Sequence, residues 1–404
     1  MKIFCYLQFL FERKYTENTI EYNIFILMNS PDYTIMQKKT YIILVVIFLL
    51  ISQVWVVWAI TRTVFYRDLI NTEAAWIASL QLPTWAIVTG NPDLDWQTHI
   101  VPYFSNIAAM SLLDADSAKY KSVVKKYINW YFDHLNMPDY TWLYWSIYDY
   151  KYNINTRKET LDWTWRYDSV DSYSATFLSL LRKYHEKTND TRFLKNKYYL
   201  VSAIVWTIPQ LQDPTTWLTY AHDAYHISYL MDNAEVYRWL LDAAYLFRNI
   251  YTDAGSHLYF RIMASNIKQS IAKYLWSDTK QAYFPYFGAT TIDTTLWYPD
   301  GQAQVFPLLN NLVPTSVGCR QYDRFSSTFP DWIDSKHDDT RFPGAFMAIA
   351  AYRCGDYSNM DRFLVNSDTY FARIWHPWVW NISEAAWSIV AANACIRNTK
   401  CINK

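Results

Sequence analysis

The helices that this sequence predicts are of two chemical kinds, and the kinds alternate along the chain. Segments over residues 117–135 (KYKSVVKKYINWYFDH), 190–211, 258–276 and 357–371 carry an apolar stripe opposite a charged one. Between them, segments over 98–113 (IVPYFSNIAAMSLL), 299–312 (GQAQVFPLLNNL), 342–353 (FPGAFMAIAAY) and 383–396 (EAAWSIVAANACI) carry almost no charge on any side. A helix that is apolar all round must be buried all round. The 168–187 and 225–251 segments resemble this second kind, apart from carboxylates near their starts. With 70–82 and 316–329 the series is complete. Outer amphipathic helices alternating with inner apolar ones describe an all-α fold, an (α/α)6 barrel of six helical hairpins. A short hairpin within 280–297 is the one strand signal expected. Two connections, about 137–167 and 277–298, are too long for plain helix–helix turns, and both precede inner helices. Long ordered loops in a compact domain usually carry function.

Composition narrows the function. The chain has 37 basic and 37 acidic residues and so no formal net charge, which argues against a nucleic-acid partner. Glycine numbers only 7 in 404 residues, and no G-x-G-x-x-G or G-x-x-x-x-G-K pattern occurs. Phosphate-cradling folds are therefore excluded.

Ahead of the barrel, Tyr41 to Ile60 (YIILVVIFLLISQVWVVWAI) is apolar apart from Ser52 and Gln53, long enough to cross a bilayer core of roughly 30 Å. Val57-Trp58-Ala59 is a poor cleavage site. Residues 36–62 are therefore expected to form one uncleaved transmembrane signal anchor. Lys38 and Lys39 on its N-terminal flank favour a cytoplasmic N-terminus and an extracytoplasmic domain over 68–404 in the cell membrane. Residues 1–35 read as a cytoplasmic tail or a spurious extension of the reading frame. Cys319, Cys354, Cys395 and Cys401 would then lie in an oxidising compartment, where three pairings are open, with four free thiols as the bland alternative.

Carboxylates collect where inner helices begin. Asp168 and Asp171 open one helix (YDSVDSYSATFLSLL), where capping is the plain alternative. Asp232, Asn233 and Glu235 lie in YLMDNAEVYRWLLDAAYLF, with Asp232 expected well inside its helix. Asp300 follows Pro299, a helix-start signal, and Glu384 opens the last helix, where capping is the favoured reading. Aromatic residues stand beside these acids in loops, including Trp142, Trp163, Trp165, Trp297, Tyr298, Trp375 and Trp378. Flat aromatic faces beside carboxylates suit pyranose rings, and cleaving a glycosidic bond needs two carboxyl groups, one protonated and one ionised. Asp171, Asp232 and Asp300 are the catalytic candidates. Asp168, Asn233, Glu235, Trp165, Trp297 and Tyr298 are candidates for holding a carbohydrate. His222-Asp223-x-x-His226 places two imidazoles at helical spacing but lacks a third ligand, so neither a metal nor any other cofactor is expected.

The stretches YDSVDSYSATFL (167–178), YLMDNAEVY (229–237) and WYPDGQAQVFP (297–307) resemble the six-hairpin glycosidase superfamily, distantly its glycoside hydrolase family eight. That resemblance implies a sugar cleft at the N-terminal ends of the inner helices, with Asp171 or Asp168 engaging sugar and Asp300 as base. It also implies a general-acid Glu in an E-G-x-x-Y-x-M-like setting. Here Glu73 stands in NTEAAW without the following Gly, and Glu159 is the substitute the long loop offers. The expected function is that of a membrane-anchored, glycoside hydrolase-like enzyme acting on a polysaccharide or oligosaccharide. A non-catalytic carbohydrate-binding scaffold is the alternative. A prenyl or terpenoid enzyme is disfavoured by the absence of D-D-x-x-D.

Overall fold

The computed structural model describes residues 35–163, 166–334 and 342–402; for residues 35–43, 47 and 49–60 it describes the backbone alone. The chain divides into one unit up to Arg62 and a second from Thr63 to Ile402. Among the described residues no helix is long and apolar enough to cross a membrane. Most side chains of 36–62, on which the anchor expectation falls, lie outside the described residues.

The second unit is a ring of helical hairpins. The first helix, α1 (Ile35–Ser79), contributes its part from Thr63 onward to this unit, and α2 (Pro102–Asp133) follows. Asp116 breaks α2 with extended backbone (φ −159°, ψ 96°), which separates an inner from an outer half. The chain continues through α3 (Val170–Thr188), α4 (Thr191–Lys195), α5 (Tyr198–Gln210), α6 (Leu230–Asn249) and α7 (Ala254–Ser270). It ends with α8 (Phe306–Leu309), α9 (Thr315–Thr328), α10 (Phe346–Arg353), α11 (Tyr357–Tyr370), α12 (Ile382–Ile396) and α13 (Thr399–Ile402).

The chemical alternation in the sequence is the alternation of layers. Every residue from Val170 to Leu181 in α3 is buried, as is every residue from Phe346 to Ala351 in α10. Outer α11 instead buries Met360, Phe363, Leu364 and Ser367, the i, i+3, i+4, i+7 stripe of a half-buried helix. The inner helices follow one another around the ring, and α12 packs back on α2, closing it. Asn393 Nδ2 of α12 donates to the Asp114 carbonyl of α2 at 3.1 Å. On the outer layer Tyr66 of α1 donates to Asp361 of α11 at 2.7 Å. Aromatic packing fills the interior, with Tyr131 stacked on Phe177 at 3.7 Å.

Three details depart from the sequence reading. The segment begun at 98 starts as a strand: β1 (Gln97–Ile100) pairs antiparallel with β2 (Tyr150–Asn153), which pairs with β3 (Lys158–Leu161). Pairing partners some fifty residues away outweigh the local helical pattern, which resumes at Pro102. The hairpin expected in 280–297 lies earlier, as β4 (Trp276–Ser277) against β5 (Ala282–Tyr283). The helix expected over 299–312 is one wide turn over Trp297–Gly301 and then the single turn α8, because Pro299 and Pro307 cannot donate to a continuous helical ladder.

Of the open cysteine pairings, Cys319–Cys354 and Cys395–Cys401 are formed. The first joins α9 to the end of α10 across a sequence separation of 35. Replacing Cys319 and Cys354 by Ala is expected to lower stability by about 2–4 kcal/mol, measured by urea denaturation as a fall in midpoint.

Candidate active site

The inner helices α2, α3 and α6 bring their first turns together at one end of the ring. In α3, Ser169 stands at the helix entry with extended backbone, and Asp171 and Ser172 occupy the first turn. Helix α6 begins at Leu230, later than expected, so Asp232 is in its first turn rather than well inside the helix. Neither entry residue, Ser169 or Tyr229, caps its own helix with a side chain. The side chains bond across instead. Ser169 Oγ donates to Asp232 Oδ2 at 2.9 Å, and Ser172 Oγ donates to Glu235 Oε2 at 3.2 Å. Tyr103 at the start of α2 donates its hydroxyl to Glu235 Oε1 at 2.6 Å. Asp171 accepts from Thr219 Oγ1 at 2.6 Å and from the Ser172 N–H at 2.8 Å.

These carboxyls are held protonated more readily than free ones. Burial, then the charge of Asp232, pushes Asp171 well up. Burial does the same for Glu235, against the opposing hydrogen bond from Tyr103. Asp232 is raised to about 7, by burial first; Ser169 opposes this and the nearby charge of Asp168 reinforces it. A rise of that size corresponds to about 4 kcal/mol. The pull of a helix N-terminus on an anion is worth roughly 0.3–2 kcal/mol and runs the other way, so desolvation and like charge win. Asp168, just outside α3, is exposed to solvent; its carboxyl is raised by burial among the loop walls, with His222 opposing.

The other expected site residues divide clearly. Asn233 spends its amide on the backbone: Oδ1 accepts from the Thr219 N–H at 2.8 Å, and Nδ2 donates to the Thr219 and Tyr229 carbonyls. It fixes the Thr219 that holds Asp171, and it is fully buried, so it does not reach toward a sugar. Asp300 accepts from the Asp293 N–H at 2.8 Å. Among the described residues no hydrogen bond or ion pair joins its carboxylate to Asp171, Asp232 or Glu235. Trp297 is buried, packed edge-on to Phe329 and tilted against Phe325. Tyr298, the next residue, is 62% exposed, and its hydroxyl is raised by burial and by the charges of Asp232 and Asp168. Trp165 lies outside the described residues.

Three further expectations change. His222 and His226 are not on a helix: His222 bridges to Tyr225 in a turn and shares a hydrogen bond of 2.7 Å with Tyr140, while His226 stacks on Tyr220. Among the described residues no cluster could hold a metal ion. Glu159 accepts from His134, Trp130 and Thr84; burial would raise its carboxyl, but these donors outweigh it and hold it below the usual range, which is the wrong direction for an acid. Glu384 does not cap its own helix, because Asn381 does. It accepts instead from the Ala345 N–H at 2.6 Å, and burial lifts it to about 7.

The sequence reading overlooked Tyr103, Ser169, Ser172 and Thr219. It also overlooked Asp149, buried and raised well above the usual range by burial, whose two oxygens accept a bifurcated hydrogen bond from the Tyr173 hydroxyl at 3.0 and 3.2 Å. The available signal was the small polar residues in the first turns of helices otherwise apolar all round. Around this cluster the loops leading into the inner helices carry exposed aromatic rings, with Trp142 77%, Trp163 70%, Trp375 87% and Trp378 70% exposed.

Solved structures share this architecture. A glycosidase in complex with glucose superposes with a TM-score of 0.57 at 11% identity, over 83% of this chain and 98% of its own. A rhamnosidase from Klebsiella oxytoca with rhamnose bound gives 0.51 at 12% identity, over 82% of this chain and 64% of its own. An uncharacterised conserved protein from Thermus thermophilus gives 0.53 at 10% identity, over 80% and 99%. No protein-family model matches the sequence, and no curated protein matches it. The chain therefore has the six-hairpin fold that solved glycosidases have; the finer likeness to family eight rests on the sequence motifs alone.

The raised carboxyls make stability depend on pH. Between the ordinary carboxyl range and about pH 7 the folded protein keeps protons on Asp232 and Glu384 that the unfolded chain releases, so stability falls as pH rises through that window. Asp232→Asn is expected to flatten the fall, leaving the variant more stable than the parent at pH 8 and little changed at pH 4. Denaturant melts at both pH values measure it.

Proposed function

We propose that this barrel is a glycoside hydrolase whose sugar site is the mouth at the N-terminal ends of α3 and α6. The observation that carries the reading is Asp232, raised to about 7, hydrogen-bonded by Ser169 and close enough for its charge to act on the exposed Tyr298. An acid poised near neutrality is what protonating a glycosidic oxygen requires. Asp171, fully buried behind it, acts through Asp232: one more negative charge there would be costly, so the pair retains a proton. Asp168, exposed at the same mouth, offers the ionised partner, a role the sequence resemblance gave to Asp300. The exposed loop tryptophans and Tyr298 supply faces for pyranose rings. The glucose and rhamnose bound to structures of the same fold accord with a carbohydrate ligand.

The same proposal keeps the enzyme at the cell membrane, outside the cytoplasm. It rests on the uncharged span Tyr41–Ile60 with its basic N-terminal flank, and on two disulfides, which persist in oxidising compartments. Removing residues 1–62 is expected to move the protein from the membrane pellet to the supernatant after a carbonate wash. A truncated chain that still pellets would sink the single-anchor reading.

Asp232→Asn is expected to lower hydrolysis by roughly 10²–10⁴-fold while leaving oligosaccharide binding intact, followed as reducing-end release over a polysaccharide panel. Asp300→Asn should retain more activity than Asp168→Asn. A parent protein that binds glycans and cleaves none would instead be a carbohydrate-binding scaffold.

A further inference from the structure

The long loop before α3 holds a cation that the chemistry above does not use. The Arg166 guanidinium sits 3.9 Å from the centre of the Tyr140 ring and 5.7 Å from that of Trp163. It forms no ion pair among the described residues. Two carboxylates of the same loop are already engaged. Asp139 accepts from Thr141, Leu143, Ser146 and Tyr167, and Asp162 is paired with Lys151 at 3.2 Å and His99 at 3.4 Å. Arg166 is only half-buried, and its neighbours Tyr140 and Trp163 are 41% and 70% exposed. It adjoins the proposed sugar mouth: Tyr140 shares its hydrogen bond with His222, His222 stacks on Tyr225, and the Tyr225 hydroxyl donates to the Asp168 carbonyl at 3.3 Å.

The backbone makes the choice of arginine pointed. Arg166 has φ +53°, the left-handed region that favours Gly or Asn. Its N–H donates to the Asp162 carbonyl at 2.8 Å, and its own carbonyl accepts from the Asp149 N–H, so the turn is fixed at both ends. Gly or Asn would serve that turn at less strain, which leaves the side chain as the reason for arginine. A guanidinium lying over an aromatic ring keeps N–H groups at its edge for a partner, and their fork matches a carboxylate.

We infer that Arg166, flanked by Tyr140 and Trp163, is a subsite for the carboxylate of a hexuronate residue, so that the substrate is an acidic glycan. This rests on reading the mouth as a sugar site.

The test is isothermal titration of the full-length protein in detergent with length-matched pairs of oligosaccharides, neutral hexose against the corresponding hexuronate, in gluco, manno and galacto series. In at least one series the hexuronate should bind about tenfold tighter, and the margin should shrink between about 50 mM and 300 mM NaCl. Arg166→Asn, which suits the left-handed backbone and should fold, is expected to erase the margin, so that the neutral and hexuronate members of each pair bind alike. Arg166→Lys should restore part of it. Asp232→Asn should keep it, since binding does not require cleavage. Equal binding of both members of every pair, or a margin unmoved in Arg166→Asn, overturns the inference and leaves the glycosidase reading standing. Failure of the parent to bind any sugar overturns both.

Discussion

The site depends on keeping carboxyl groups out of water between the first turns of α3 and α6. Asp171, Asp232 and Glu235 are all buried, at the starts of helices that are buried on nearly every side. Isolated ions would cost far more there than a fold can supply, so the groups share protons and hydrogen bonds instead. Ser169, Ser172, Thr219 and Tyr103 provide those bonds, and each comes from a different position around the mouth. The geometry of the inner ring and the protonation of the site are thus one problem with one solution.

That solution explains why so many loop residues serve structure. Asn233 has the look of a ligand-binding amide in sequence, but its hydrogen bonds clamp the backbone of Thr219 and Tyr229. Asp139 gathers five donors and shapes the loop that carries Tyr140 and Trp142. Glu73 accepts from His376 at 3.1 Å and from Trp380, tying α1 to the loop before α12. Asp139, met by five donors, organises its loop, whereas Asp171, Asp232 and Glu235, set close together at the helix starts, are raised by burial and by the charge of neighbouring acids.

Much of the architecture was legible in the sequence because it follows from one local property. Helices without charge on any side must be interior, and helices with one apolar stripe must be exterior; the observed layers follow this except at α5, which carries no charge and yet leaves Tyr199 and Trp206 exposed. The position of the carboxylates at inner-helix starts was legible for the same reason, since so few charges interrupt those segments. Element boundaries at proline-rich entries were less so: the break into a wide turn at Trp297–Gly301 and the strand at Gln97–Ile100 depend on partners distant in sequence.

What the tertiary structure alone decided is which acids meet. The sequence offers Asp232, expected well inside its helix, and Asp300, at a helix start, as equal catalytic candidates. Only the packing of α3 on α6 sets Asp232 against Ser169 and Asp171, and only the fold of the 277–298 loop gives Asp300 the Asp293 N–H as its partner. Trp297 and Tyr298 make the same point: adjacent aromatic residues, one driven into the core and the other turned to the mouth. Periodicity reports how much of a helix is buried because burial acts residue by residue. Protonation depends on neighbours through space, and those neighbours exist only once the ring has closed.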